Sequence, residues 1–76
     1  MDLDQLTQKK DLVREGDICD YLGRFEEAIS FYDKALQIDP TDTDALFDKG
    51  MTLQKMGKHK EAMKCIAEAV SLYCDK

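Results

Sequence analysis

The chain has one proline, no tryptophan, and no run of apolar residues approaching the roughly 18 that would carry a helix across a bilayer. It therefore predicts no membrane span. The opening segment, MDLDQLTQKK, lacks the apolar stretch of about seven or more residues that a secretory signal requires. Cysteine is scarce and odd in number: Cys19, Cys65 and Cys74, with no C-x-x-C spacing. That set supports no disulfide framework, and one chain offers too few soft ligands for a tetrahedral zinc site. A reducing, cytoplasmic setting with free thiols is the expectation. Cys19 should be a small buried hydrophobe, Cys65 part exposed, and Cys74 open to intermolecular oxidation. Basic residues are also too few for nucleic acid: a formal charge of -5 provides no cationic face to neutralise phosphates.

Catalytic constellations are missing as well. The single histidine, His59, sits at an expected turn, where it reads as a part-buried packing residue, and no nucleophile stands beside a base. The acidic run DTDALFD lacks the glycine and distal glutamate of a calcium loop, so its carboxylates read as a helix start that favours the positive end of the dipole. No enzyme activity, metal or cofactor is expected.

What the sequence does contain is one unit written twice. YLGRFEEAISFYDKALQIDP at residues 21–40 returns 34 residues later as KMGKHKEAMKCIAEAVSLYC. The same shift pairs Leu12 with Leu46, Gly16 with Gly50, Gly23 with Gly57, Ala28 with Ala62 and Ala35 with Ala69, so that all four glycines fall in register. Apolar residues recur at spacings of three and four in each copy, as amphipathic helices require. Gly23 and Gly57 end one helix of each copy, and Pro40 stops the helix before it. Thr41 and Asp44 have the form of a capping box for the next. Four helices are expected, near 4–22, 25–38, 42–56 and 59–73. Mid-helix glycine costs about 1 kcal/mol relative to alanine. Gly16 and Gly50 therefore imply close helix approach, with Ala28 and Ala62 as the flat surfaces opposite.

Small and large residues at this period resemble the tetratricopeptide repeat, a 34-residue helix-turn-helix unit. Leu12, Gly16, Ala28, Tyr32, Ala35 and Pro40 stand at signature positions of a first repeat, and Leu46, Gly50, Leu53, Ala62, Ile66 and Ala69 at those of a second. Departures are Glu15 and Lys49 in place of leucine, Cys19 in place of tyrosine, and Cys74 in place of proline. The resemblance implies an all-α, helix-turn-helix repeat of four antiparallel helices. Residues 1–8 would extend the first helix, 9–42 form one repeat and 43–76 the next; a generic four-helix bundle is the competing architecture.

The resemblance further implies a non-catalytic scaffold that binds a protein or peptide on a concave face lined by the first helix of each repeat. That groove would comprise Lys10, Val13, Arg14, Asp17, Asp20 and Tyr21 from one repeat and Asp44, Phe47, Asp48, Met51, Gln54 and Lys55 from the next. The lysine-and-asparagine clamp by which some members hold a terminal carboxylate is absent, because Val13, Asp17 and Asp48 occupy its positions. Val13, Phe47 and Met51 flanked by aspartates suit a segment that is both basic and apolar. A different reading is a self-assembly module. Two repeats leave apolar helix faces uncovered, and Leu3, Leu6, Ile66, Ala69, Val70 and Leu72 would form the contact of a homo-oligomer, as a closed pair or a head-to-tail stack.

Overall fold

A computed structural model describes residues 1–74; the last two positions of the second expected repeat, 75 and 76, lie outside the described residues. The chain is all-α: α1 (Leu3–Tyr21), α2 (Phe25–Ile38), α3 (Thr43–Lys55) and α4 (His59–Cys74). Among the described residues there is no strand.

Each boundary has a local cause. The Asp2 carboxylate accepts the Gln5 backbone N–H at 2.8 Å, while the Gln5 side chain accepts the Asp2 backbone N–H at 3.3 Å. This reciprocal box starts α1. Gly23 (φ 80°) and Gly57 (φ 81°) take the left-handed conformation that ends α1 and α3. The next N–H groups, of Arg24 and Lys58, reach back to the carbonyls of Cys19 (2.8 Å) and Leu53 (2.9 Å) in matching Schellman closures. Asp39 is extended, as a residue before proline must be.

One cap differs from the sequence expectation. Asp42, not Thr41, caps α3, accepting the N–H groups of Asp44 (3.0 Å) and Ala45 (3.3 Å). Thr41 is drawn the other way: its N–H and hydroxyl both donate to Asp39 Oδ1, at 3.1 and 2.8 Å. The helix consequently begins one residue later than expected. Asp39 and Asp42 also receive Lys9 Nζ, at 2.9 and 3.4 Å, which ties α1 to the α2–α3 turn. The hydrogen bond from Lys9, followed by that from Thr41, holds the Asp39 carboxyl below the usual aspartate range.

The helices form two hairpins, with α2 packed between α1 and α3 and with α4 packed on α3. Close approach is indeed what the glycines permit, but the surface opposite Gly16 is an aromatic ring rather than Ala28. A Cβ on Gly16 would lie 2.5 Å from Cε1 and 2.8 Å from Cδ1 of Tyr32. In the second hairpin a Cβ on Gly50 would meet Ile66 Cγ1 at 2.7 Å and the Ala62 carbonyl oxygen at 3.1 Å. Tyr32, Cys19 and Ala28 form a buried cluster, with Val13, Ile29 and Phe31 against it. Between the hairpins, Lys49 Nζ bridges to Asp33 at 2.6 Å, which sets the Ala45–Lys49–Thr52 stripe of α3 against α2. Ala45 and Thr52 are wholly buried there. His59 is exposed, not part buried as expected, because the tight turn through Gly57 leaves the first residue of α4 facing solvent.

Candidate peptide-binding surface

On α1, positions 10, 13, 14, 17, 20 and 21 share one stripe; on α3, positions 44, 47, 48, 51, 54 and 55 do the same. The two helices touch directly. Side chains also join them: Thr52 Oγ1 donates to Asp20 Oδ1 at 3.1 Å and Lys55 Nζ lies 2.8 Å from Asp20 Oδ2. Beneath this contact, Tyr32 of α2 is 1% exposed and sends its hydroxyl between the helices to donate to Asp17 Oδ1 at 2.7 Å. Burial, and then this bond to an anion, raises the Tyr32 phenol above its ordinary range.

Asp48 carries a strongly raised carboxyl. Removal from water, then the hydrogen bond and charge of Asp17, push it up to about 7, and Asp44 and Asp20 add to the repulsion. Four aspartates thus converge on one side of the α1–α3 contact. A proton on Asp48 relieves its repulsion with these neighbours.

The expected groove residues fall into three groups. Asp17, Asp20, Asp44, Asp48 and Lys55 come together around this centre. Val13 and Phe47 are half-buried and Met51 is exposed, leaving an apolar strip beside the carboxylates. Lys10, Arg14, Tyr21 and Gln54 are exposed and make no hydrogen bond or ion pair among the described residues; Tyr21 is 90% exposed. Tyr32 and Thr52 were missed as groove-shaping residues. For the first, the sequence signal is the i, i+4, i+7 spacing of Ala28, Tyr32 and Ala35, which puts the ring on the buried stripe of α2 without aiming its hydroxyl; a lone threonine on α3 gives none for the second.

The expected self-association set needs one correction. Ala69 is wholly buried and contributes nothing to an outer surface, because its side of α4 packs on α3. Ile66, Leu72 and Leu6 are half-buried, while Val70 and Leu3 are exposed. On the outer side, Met63, Ile66, Ala67, Val70 and Ser71 line an open, largely apolar groove of about 410 Å³. Met63 and Ala67 belong to this groove and lie outside the expected set.

The model of the tetratricopeptide repeat matches residues 22–73, more than half of the chain. The chain belongs to the tetratricopeptide repeat family. An uncharacterized protein of Methanocaldococcus jannaschii is 30% identical over 50 residues, which is 66% of this chain and 58% of that protein. The probable UDP-N-acetylglucosamine–peptide N-acetylglucosaminyltransferase SPINDLY of Hordeum vulgare is 31% identical over 68 residues, covering 90% of this chain and 7% of that protein. Zinc finger CCCH domain-containing protein 7B of Homo sapiens is 41% identical over 44 residues, 58% of this chain and 4% of that protein. The chain therefore spans somewhat over half of the first relative and a small part of the other two. Membership of the tetratricopeptide repeat family suggests a protein–protein interaction scaffold. No described helix is long and apolar enough to cross a membrane.

The carboxylate pair has a measurable consequence in the free protein. With a folded pKa near 7, above the ordinary 3.8, Asp48 keeps a proton on folding that the unfolded chain releases. Its contribution is full below pH 4, declines as pH rises through the window up to 7, and is gone above it. Thermal melts should therefore fall in midpoint between pH 5.5 and 8. Asp48→Asn should remove that slope and raise stability at pH 8 by about 0.5–1 kcal/mol, discounted for solvent screening, or about 2–8 °C.

Proposed function

We propose that residues 9–42 and 43–76 act as two tetratricopeptide repeats that hold a protein or peptide segment on the concave α1–α3 face, without catalysis. The observation that carries this reading is the Asp17–Asp48 pair, an exposed carboxyl kept close to a half-buried one beside Val13, Phe47 and Met51. Such a pair is unfavourable unless a proton or another cation sits with it. A lysine or arginine of a bound segment supplies that cation, and an apolar neighbour in the segment covers Phe47 and Met51. Asp20 is already engaged by Lys55 and Thr52, so the new charge goes to Asp17 and Asp48.

Titration with short peptides carrying one basic and one apolar anchor, followed by amide shifts, should move Val13, Asp17, Phe47 and Met51. Asp17→Lys should abolish those shifts while changing stability by about 1 kcal/mol or less: the side chain is exposed, but its bond from Tyr32 is lost. A peptide set that leaves all four amides unmoved would remove the proposal.

The outer groove of α4 favours a second reading, self-association. Met63 is 71% and Val70 46% exposed on a helix that no other described element covers on that side. The two readings use different surfaces and are compatible.

A further inference from the structure

We infer that two copies of this chain pair through α4, antiparallel about a two-fold axis, with Lys64 of each copy facing Glu68 of the partner subunit. The inference rests on the self-association reading and supplies its geometry.

The molecule contains its own example of how the second helix of a hairpin is covered. Across the α2–α3 contact, Asp33 meets Lys49, and Ala45 and Thr52 on the same stripe are wholly buried. The 34-residue shift carries Asp33 onto Ala67 of α4, and Ala45, Lys49 and Thr52 onto Asp11, Glu15 and Ile18 of α1. If a second copy continued the stack head to tail, Asp11 would occupy the closed place of Ala45, while Glu15 would lie opposite the methyl group of Ala67, which offers it no partner. Burying a carboxylate without a partner is strongly unfavourable. The acidic stripe of α1 thus blocks the open stack.

A closed pair meets no such obstacle. Met63, Ala67 and Val70 follow one another at i, i+4 and i+7, which forms a straight apolar stripe along α4. Setting Met63 against Val70 of the partner subunit brings Ala67 to the axis opposite its own counterpart. Alanine there lets the helices approach closely. Antiparallel pairing also brings like flanks together, and the flank beside this stripe carries Lys64 and Glu68, both exposed. In this register Lys64 lies within about one residue rise, ~1.5 Å along the axis, of the level of Glu68 of the partner subunit. Symmetry makes the contact twice. Neither side chain is engaged in an ion pair among the described residues, and lysine preceding glutamate by four is the weaker order within one helix.

The face is one helix wide, well below the ~1,200 Å² of a stable interface, so the pair belongs to high concentration. Sedimentation equilibrium from about 10 µM to 1 mM should show monomer and dimer and nothing larger. Lys64→Glu and Glu68→Lys should each weaken the dimer about tenfold, through two like-charge contacts, and the double variant should restore it. In a Cys65→Ser/Cys74→Ser background, Ala67→Cys should link as a dimer under oxidised glutathione. A dimer indifferent to the charge exchange, or one that Ala67→Cys does not link, overturns this geometry and leaves self-association standing. A ladder of larger species overturns it in favour of head-to-tail stacking. Monomer throughout, with Val70→Glu of unchanged mass, overturns the geometry and self-association alike.

Discussion

Gly16→Leu is expected to cost about 2–3 kcal/mol or more, because the new side chain must enter space already filled by the Tyr32 ring. A 76-residue domain has about 4–11 kcal/mol of stability in all. The variant should therefore melt far below the parent in a circular-dichroism scan. A Cβ at 2.5 Å from an aromatic carbon cannot be accommodated by a small rotation of a ring that is itself enclosed and hydrogen-bonded. Parent-like melting of Gly16→Leu would show that the α1–α2 packing is wrong.

The second large effect is Tyr32→Ala, expected to cost about 3–5 kcal/mol. It removes the largest wholly buried side chain of the first hairpin together with the donor to Asp17. Tyr32→Phe separates the two contributions: it keeps the ring and should cost only about 1 kcal/mol for the lost hydrogen bond. A coupling test follows from the same contact. Gly16→Ala should destabilise the parent, yet be neutral or stabilising once Tyr32 is alanine, because the obstruction is gone and helix propensity favours alanine over glycine by about 1 kcal/mol. Equal effects in both backgrounds would contradict the direct apposition of Gly16 and Tyr32.

Much of the fold was legible because its determinants are local or repeat. Gly23 and Gly57 mark two helix ends through backbone conformation alone, and Pro40 constrains Asp39 directly. Gly16 and Gly50 announce close approach, since nothing else offsets glycine inside a helix. The identity of the opposing surface was not legible: whether Ala28 or Tyr32 lies over Gly16 depends on hairpin rotation, which periodicity does not determine. Thr41 and Asp42 illustrate a second limit. Both can cap a helix, and the choice was made by Asp39, whose carboxylate captures Thr41 first.

The candidate surface was readable as two stripes and not as a centre. Helical spacing places Asp17 on one stripe and Asp48 on another, but only the meeting of α1 and α3 over the Tyr32 hydroxyl turns them into a pair. Periodicity places Ala69 on an apolar stripe of α4 without saying whether that stripe faces α3 or the outside. Its burial against α3 and the exposure of Met63 show which side is which.

Proton release on peptide binding tests the function of that centre most directly. Calorimetric titration of a lysine-bearing peptide at pH 7, in buffers of different ionisation enthalpy, should detect a proton leaving Asp48 as the cation takes its place. Affinity should rise between pH 6 and 8, and the release should vanish in Asp48→Asn. Binding that releases no proton and is equally tight at pH 6 and pH 8 would contradict the assignment of the Asp17–Asp48 pair as the site that receives the cation.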